Sequence, residues 1–86
     1  MRDSSQVFVS RFRCDSEGTA RGLANALLVA GLYPELREPP FPGQPWDVAV
    51  LAQLEPTEDN VADLRETMAE AARHAGASFE GCERER

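Results

Sequence analysis

The hydrophobic positions follow a two-residue period in parts of the chain and a helical period in others. The longest apolar segment with strand-like alternation covers residues 46–54. One of its faces is aliphatic throughout: Val48, Val50, Ala52 and Leu54. The other is mixed, and its polar members mark it as the less buried face: Asp47, Ala49, Leu51 and Gln53. This pattern predicts the central strand of a small sheet.

Three further segments are predicted to be strands. Residues 6–14 alternate, with Phe8, Ser10 and Phe12 on one face and Val7, Val9, Arg11 and Arg13 on the other. Residues 33–38 contain a proline, which favours an edge strand with Leu36 pointing inward. Residues 78–83 are predicted as a last strand with Phe79 and Gly81 inward, followed by a solvated tail at residues 83–86.

Helical spacing and end signals predict two helices. The first covers residues 17–30, begins after a cap supplied by Asp15-Ser16 and ends at Gly31. The second begins after Thr57 and ends at Gly76. Each carries an apolar stripe: Ala20, Leu23, Ala24 and Leu27 in the first, and Val61, Leu64, Met68, Ala71, Ala72 and Ala75 in the second.

The order strand, helix, strand, strand, helix, strand predicts an α+β fold, the ferredoxin-like βαββαβ sandwich. Its four-stranded antiparallel sheet is expected in the order 4-1-3-2, with both helices on one face. The helices should cover the larger apolar side chains of that face: Phe8, Phe12, Leu36, Val48, Val50, Leu54 and Phe79. The 86 residues are enough for a single domain over positions 1–86.

Composition narrows the classes of function. No apolar run is long enough to cross a membrane, and residues 1–6 lack the apolar core of a signal peptide, so a cytoplasmic location is expected. The net charge of −6 disfavours general nucleic-acid binding, which needs a cationic surface, and favours a basic partner if the partner is charged.

The residues with catalytic or metal-binding potential are few. Cys14, Cys82 and His74 cannot complete a four-ligand zinc site, and the glycines do not match a phosphate-binding loop. His74 falls in the last turn of the second helix, where it complements the helix dipole and can pair with Glu70. We therefore expect no enzymatic activity, no cofactor and no metal.

The outward face of the sheet does not have the pattern of an RNA-binding sheet. The central strands carry no outward aromatic residue, whereas RNA-recognition sheets stack bases on such residues. Its three arginines share the face with acidic residues, which predicts cross-strand ion pairs such as Arg13 with Asp47. Direct nucleic-acid binding is not expected.

Three surfaces are candidates for binding. Val7, Val9 and Leu51 should cluster on the open sheet face, which favours either dimerisation or partner docking, or is simply hydrated. Asp59, Asp63, Glu66 and Glu70 should form one acidic row on the second helix, either a solvated face or a site for a basic protein. Phe41 and Trp46, framed by prolines, suggest a small-molecule sensor site, although Trp46 can instead close the core.

Several short motifs resemble one known family. They are Ala24-x-x-Leu27-x-x-x-Gly31-Leu32-Tyr33, then Trp46-x-Val48, then Pro56-Thr57, then Ala75-Gly76-x-x-Phe79-Glu80-Gly81. In order and spacing, over residues 17–83, they look like the RraB family, the regulators of ribonuclease activity B that inhibit ribonuclease E. The resemblance implies a ferredoxin-like domain that binds protein without catalysis and docks on the scaffold region of ribonuclease E. The family's usual aromatic-aspartate-glycine-tryptophan end reads Phe79-Glu80-Gly81-Cys82 here.

Overall fold

The computed structural model describes residues 5–85 as one antiparallel sheet with two helices. This confirms the α+β class and the four-stranded antiparallel sheet. The sheet order is β2-β3-β1-β4, which reads 4-1-3-2 from the other edge. The elements in chain order are β1 (Gln6–Cys14), α1 (Glu17–Val29), β2 (Pro34–Arg37), β3 (Trp46–Leu54), α2 (Glu58–Ala75) and β4 (Ser78–Arg84).

The pair β1–β3 forms the centre of the sheet. Over nine residues, each position of β1 stands opposite one position of β3, from Gln6 opposite Leu54 to Cys14 opposite Trp46. Because side chains alternate between the faces, Phe12 and Val48 lie together on one face, and the neighbouring pair Arg11 and Ala49 lies on the other. The pairing therefore fixes which side chains meet on each face.

Both helices pack on the face that carries Phe12 and Val48, as the hydrophobic pattern predicts. The buried cluster joins four strand residues to five helix residues: Phe12, Cys14, Val48 and Val50 with Ala20, Leu23, Leu27, Met68 and Ala72. Trp46 is half-buried and packs against this cluster, as expected for a residue that closes one end of the core. Among residues 5–85, no element covers the opposite face of the sheet.

The helix ends follow the local signals in the sequence. The Ser16 hydroxyl accepts a hydrogen bond from the Thr19 amide at 3.2 Å, and the Thr57 hydroxyl accepts one from the Asn60 amide at 3.1 Å. Each cap satisfies an amide that the first helical turn leaves free. Gly76 ends α2 in the left-handed conformation, with φ of 77°. These three features confirm predictions that depend on neighbouring residues alone.

A β-bulge in β4 makes one prediction wrong. Arg11 stands opposite Gly81, but the next residue of β1, Phe12, stands opposite Phe79, so Glu80 is an extra residue in β4. An extra residue shifts the alternation by one position. As a result Cys82, rather than Gly81, is the second inward residue of the strand, and it is buried.

The predicted tail at residues 83–86 is also partly wrong, because β4 continues through Arg84. The Arg84 guanidinium lies 5.8 Å from the centre of the Phe8 ring, and the Glu85 amide donates to the Val7 carbonyl at 2.8 Å. The cation–π contact and the backbone hydrogen bond hold the C-terminal end of β4 against β1. Residues 1–4 and residue 86 lie outside the described residues. Most of residues 1–6, which lack the apolar core of a signal peptide, is therefore not described.

Ser10 is the polar side chain buried in the core. It is fully buried between β3 and β4, opposite Val50 and Cys82, and within residues 5–85 its hydroxyl oxygen has no hydrogen-bond partner. Burying an unpaired hydroxyl costs about 1–3 kcal/mol.

Replacing Ser10 by alanine should therefore raise the free energy of unfolding by about 1 kcal/mol, because the unpaired hydroxyl is removed while the methylene stays. Urea unfolding monitored by circular dichroism measures the change. Ser78→Ala, at an exposed position of β4, is the matched control and should change stability by less than about 0.5 kcal/mol. A loss of stability in Ser10→Ala would show that the hydroxyl is hydrogen-bonded in solution.

Candidate interaction surfaces

The open face of the sheet is built from rows of side chains that the strand pairing aligns. One row runs Glu35, Ala49, Arg11 and Gly81 across the four strands. The next row contains Arg37, Asp47 and Arg13 in the same strand order. Neighbouring strands lie about 4.8 Å apart, so all of these side chains share one small area. Charges of both signs therefore surround the small side chain of Ala49.

This small side chain leaves a hollow of about 240 Å³ in the open face. Longer side chains stand around it: Arg11, Glu35, Arg37, Asp47 and Glu80. Two arginines and three carboxylates give the hollow walls of mixed sign. The sequence pattern alone does not indicate this hollow, because it depends on which residues of four separate strands become neighbours.

One ion pair on this face differs from the prediction. Arg13 stands opposite Asp47, as expected, but its guanidinium pairs with Glu80 at 3.2 Å. The bulge places the Glu80 side chain beside Arg13, and the prediction did not include the bulge. Within residues 5–85, neither Arg11 nor Arg37 has an ion-pair or side-chain hydrogen-bond partner. These two cations remain available to another molecule.

The other half of the open face is apolar. Val9 stands directly opposite Leu51, whose surface is 53% exposed, and Val7 follows on the same face of β1. The structure thus brings together the three aliphatic residues that the sequence grouped. Tyr33, 84% exposed, directly precedes the Pro34–Val50 pair and so continues β2 towards Leu51. Two-residue steps back from Arg37 and Glu35, on the side opposite the inward Leu36, place Tyr33 on this face.

The acidic row on α2 lies on the solvent side of that helix. All four carboxylate residues are exposed: Asp59, Asp63, Glu66 and Glu70. Glu70 contacts His74 at 3.6 Å, as the spacing predicts, and the other three have no ion-pair partner among the described residues. The buried residues of α2, Met68 and Ala72, occupy its other side. Whether the row binds a partner stays a prediction.

The proline-rich connector forms a recess beside the first turn of α1. Phe41 is 64% exposed and lines it together with Trp46, and the volume is about 550 Å³. Its polar side chains are mainly carboxylates: Asp15, Glu17 and Glu38. A small-molecule sensor site at Phe41 and Trp46 requires a recess beside Trp46, and this recess meets that requirement. Binding of a small molecule there stays a prediction.

The two cysteines, Cys14 and Cys82, are both buried and unbridged. Burial, together with the nearby negative charges of Asp15 and Asp47, raises the pKa of the Cys14 thiol. A thiol that stays protonated is a weak nucleophile. Within residues 5–85, no three His, Cys, Asp or Glu side chains come together as metal ligands, and no helix is long and apolar enough to cross a membrane.

Comparison with known proteins assigns no family to the chain. No protein-family model matches it, and no curated protein matches it. The surfaces described above are therefore the basis on which a function is proposed.

Proposed function

We propose that the chain is a non-catalytic regulatory domain that binds a basic segment of another protein through the acidic row on α2. The observation that carries this proposal is the exposure of four carboxylates in one row, of which only Glu70 has an ion-pair partner, His74, within residues 5–85. Like charges at this spacing destabilise a helix by a few tenths of a kcal/mol per pair. A cationic partner would convert that repulsion into attraction.

The geometry of the row defines the partner that fits it. Asp59 and Glu70 are eleven residues apart, which corresponds to about 16 Å along a helix axis. An extended or helical segment with arginine or lysine at matching intervals can neutralise the row along this length. Complementary charge raises association rates and gives specificity. Nucleic acid would be repelled by the same surface.

The topology supports a more specific form of the proposal. A sheet of this order with two helices on one face is the arrangement of the ferredoxin-like βαββαβ sandwich. The resemblance to the RraB family adds the expectation of docking on the scaffold region of ribonuclease E and modulation of RNA decay. We propose this as the biological setting of the acidic row, in the cytoplasm, with a ribonuclease E-type enzyme or another basic protein as the partner.

Reversing three charges of the row tests the proposal. The variant Asp63→Lys, Glu66→Lys and Glu70→Lys should bind a fluorescent peptide with arginines at four-residue intervals at least tenfold more weakly, because attraction becomes repulsion. Fluorescence anisotropy measures the dissociation constant. Binding by the unchanged chain should weaken as salt rises from 50 to 500 mM, since salt screens exposed charges.

The matched control reverses three carboxylates elsewhere on the surface. Glu38→Lys, Glu55→Lys and Glu85→Lys together produce the same change in net charge at exposed positions outside α2. This control should bind the peptide within threefold of the unchanged chain. Equal losses in both variants would show that net charge, and not the row, attracts the peptide. The scaffold region of a ribonuclease E, used as a second probe, tests the family-specific form.

A further inference from the structure

We propose that two copies of this chain pair face to face through the open side of the sheet. The two-fold axis runs parallel to the strands, between β1 and β3. In this arrangement Arg11 of each copy enters the hollow above Ala49 of the other. The proposal is independent of the acidic row, because α2 lies on the opposite side of the sheet and stays exposed in the pair.

The distribution of charge favours this face for self-association. The chain carries a net charge of −6, so two copies repel each other over most of their surfaces. The open face is different, because three arginines stand there with five carboxylates and leave it only two units negative: Arg11, Arg13 and Arg37 with Glu35, Asp47, Glu80, Glu83 and Glu85. It combines nearly balanced charge with an apolar half.

The register of β1 and β3 determines what meets across such an axis. The axis exchanges the two central strands, so each residue of β1 lies over the second copy of its own partner in β3. Arg13 then meets Asp47 of the second copy, and Val9 meets Leu51 of the second copy. At the outer strands, β4 lies over β2, which brings Ser78 over Arg37 and Gly81 over Glu35 of the second copy. On the two central strands, opposite charges therefore face each other, and so do the aliphatic side chains.

The hollow gives the pairing a specific contact. Under the same axis Arg11 lies over Ala49 of the second copy, whose own side chain is a single methyl group. Glu35 and Asp47 stand at the walls of that hollow. Hydrogen bonds from a guanidinium to carboxylates are among the strong ones. The pairing therefore gives the unpartnered Arg11 both a space and two acceptors.

The other possible two-fold axis in the plane of the sheet fits less well. An axis across the strands at the hollow would place β1 over β1 of the second copy. Arg11 and Arg13 would then lie near the same residues of the second copy, and like charges would face each other. Charge complementarity therefore selects the axis parallel to the strands.

The area of the face is sufficient for a weak dimer. Nine-residue strands at β1 and β3, flanked by shorter ones, cover about 450 Å² per copy at about 16 Å² per strand residue. Two copies would bury about 900 Å² or more once side-chain relief is included, which is below the range of stable interfaces and within that of weak, transient ones. We therefore expect a weak dimer that forms only at high protein concentration.

Sedimentation equilibrium from 5 µM to 1 mM tests the pairing. The chain should change from monomer to dimer over this range. Leu51→Gln should raise the dissociation constant at least tenfold, because a polar amide then faces Val9 of the second copy. Leu28→Gln is the matched control, since Leu28 on α1 is 50% exposed and lies away from the sheet face. A monomer at 1 mM, or equal effects of the two substitutions, would overturn the proposal.

A mixing experiment tests the axis itself. Arg13→Asp places two negative residues at the paired positions 13 and 47, and Asp47→Arg places two positive ones there. Each variant alone should dimerise at least tenfold more weakly than the unchanged chain, whereas an equimolar mixture should form heterodimers. Changes within a single copy cannot produce rescue on mixing. The control Arg65→Glu has the charge change of Arg13→Asp on α2 and should dimerise normally. Failure of the mixture to associate would exclude this axis.

Discussion

Replacing Phe12 by alanine should lower the free energy of unfolding by about 4 kcal/mol, the largest effect expected of a single substitution in this chain. Phe12 is 1% exposed at the centre of β1, and its ring centre lies 5.5 Å from that of Phe79. Truncation removes this contact and leaves a cavity beneath both helices. The free energy of unfolding of a small domain is typically only about 5–15 kcal/mol, so the substitution would remove a large part of it.

Urea unfolding followed by circular dichroism, at a low and fixed protein concentration, measures this effect. Phe41→Ala is the matched control because Phe41 is 64% exposed in the proline-rich connector. It should change stability by less than about 0.5 kcal/mol. A loss below about 2 kcal/mol for Phe12→Ala would show that the surrounding side chains collapse into the cavity, which the close packing between sheet and helices argues against.

Replacing Gly81 by valine should lower the free energy of unfolding by about 2 kcal/mol. Gly81 has a φ of 136°, a backbone conformation that residues with a Cβ rarely adopt. The conformation belongs to the bulge that turns Phe79 and Cys82 towards the same face. A side chain at position 81 would meet no atom within 4 Å, so the cost arises from the backbone and not from a clash.

Gly22 provides a comparison of opposite sign. It lies within α1, and an added Cβ would meet nothing within 4 Å there. Gly22→Ala should therefore stabilise the chain by about 0.5–1 kcal/mol through helix propensity. Thermal or urea unfolding of both variants measures the contrast. If Gly81→Val were neutral, the bulge would be able to move along β4 at no cost, and the register at Arg11 and Phe12 would not be fixed by it.

The relation between sequence and structure is clearest at the helix ends and in β4. Ser16, Thr57 and Gly76 act through hydrogen bonds and backbone angles within a few residues, so the sequence predicts them directly. The inward residues of β4 were predicted by simple alternation, which fails when one residue is added. The bulge is a property of the pairing with β1, and a single strand carries little signal for it.

The candidate surfaces divide in the same way. The acidic row is a helix periodicity, so its four residues could be grouped from the sequence and are all exposed in the structure. The hollow above Ala49 combines residues from four strands that are distant in the chain, such as Glu35 and Glu80. Alternation predicts that the charged residues lining the hollow point outward. It does not predict that they surround one small side chain, because that depends on how the four strands pair.

The sequence by itself determined the α+β class, the two helices with their caps and the inward faces of the central strands. These follow from hydrophobic period and local hydrogen bonding, which act over a few residues. Only the tertiary structure decided that Arg13 pairs with Glu80, that Cys82 replaces Gly81 in the core and that a hollow opens beside Arg11. The physical reason is that strand pairing joins distant residues, and a one-residue shift in that pairing changes which side chains meet.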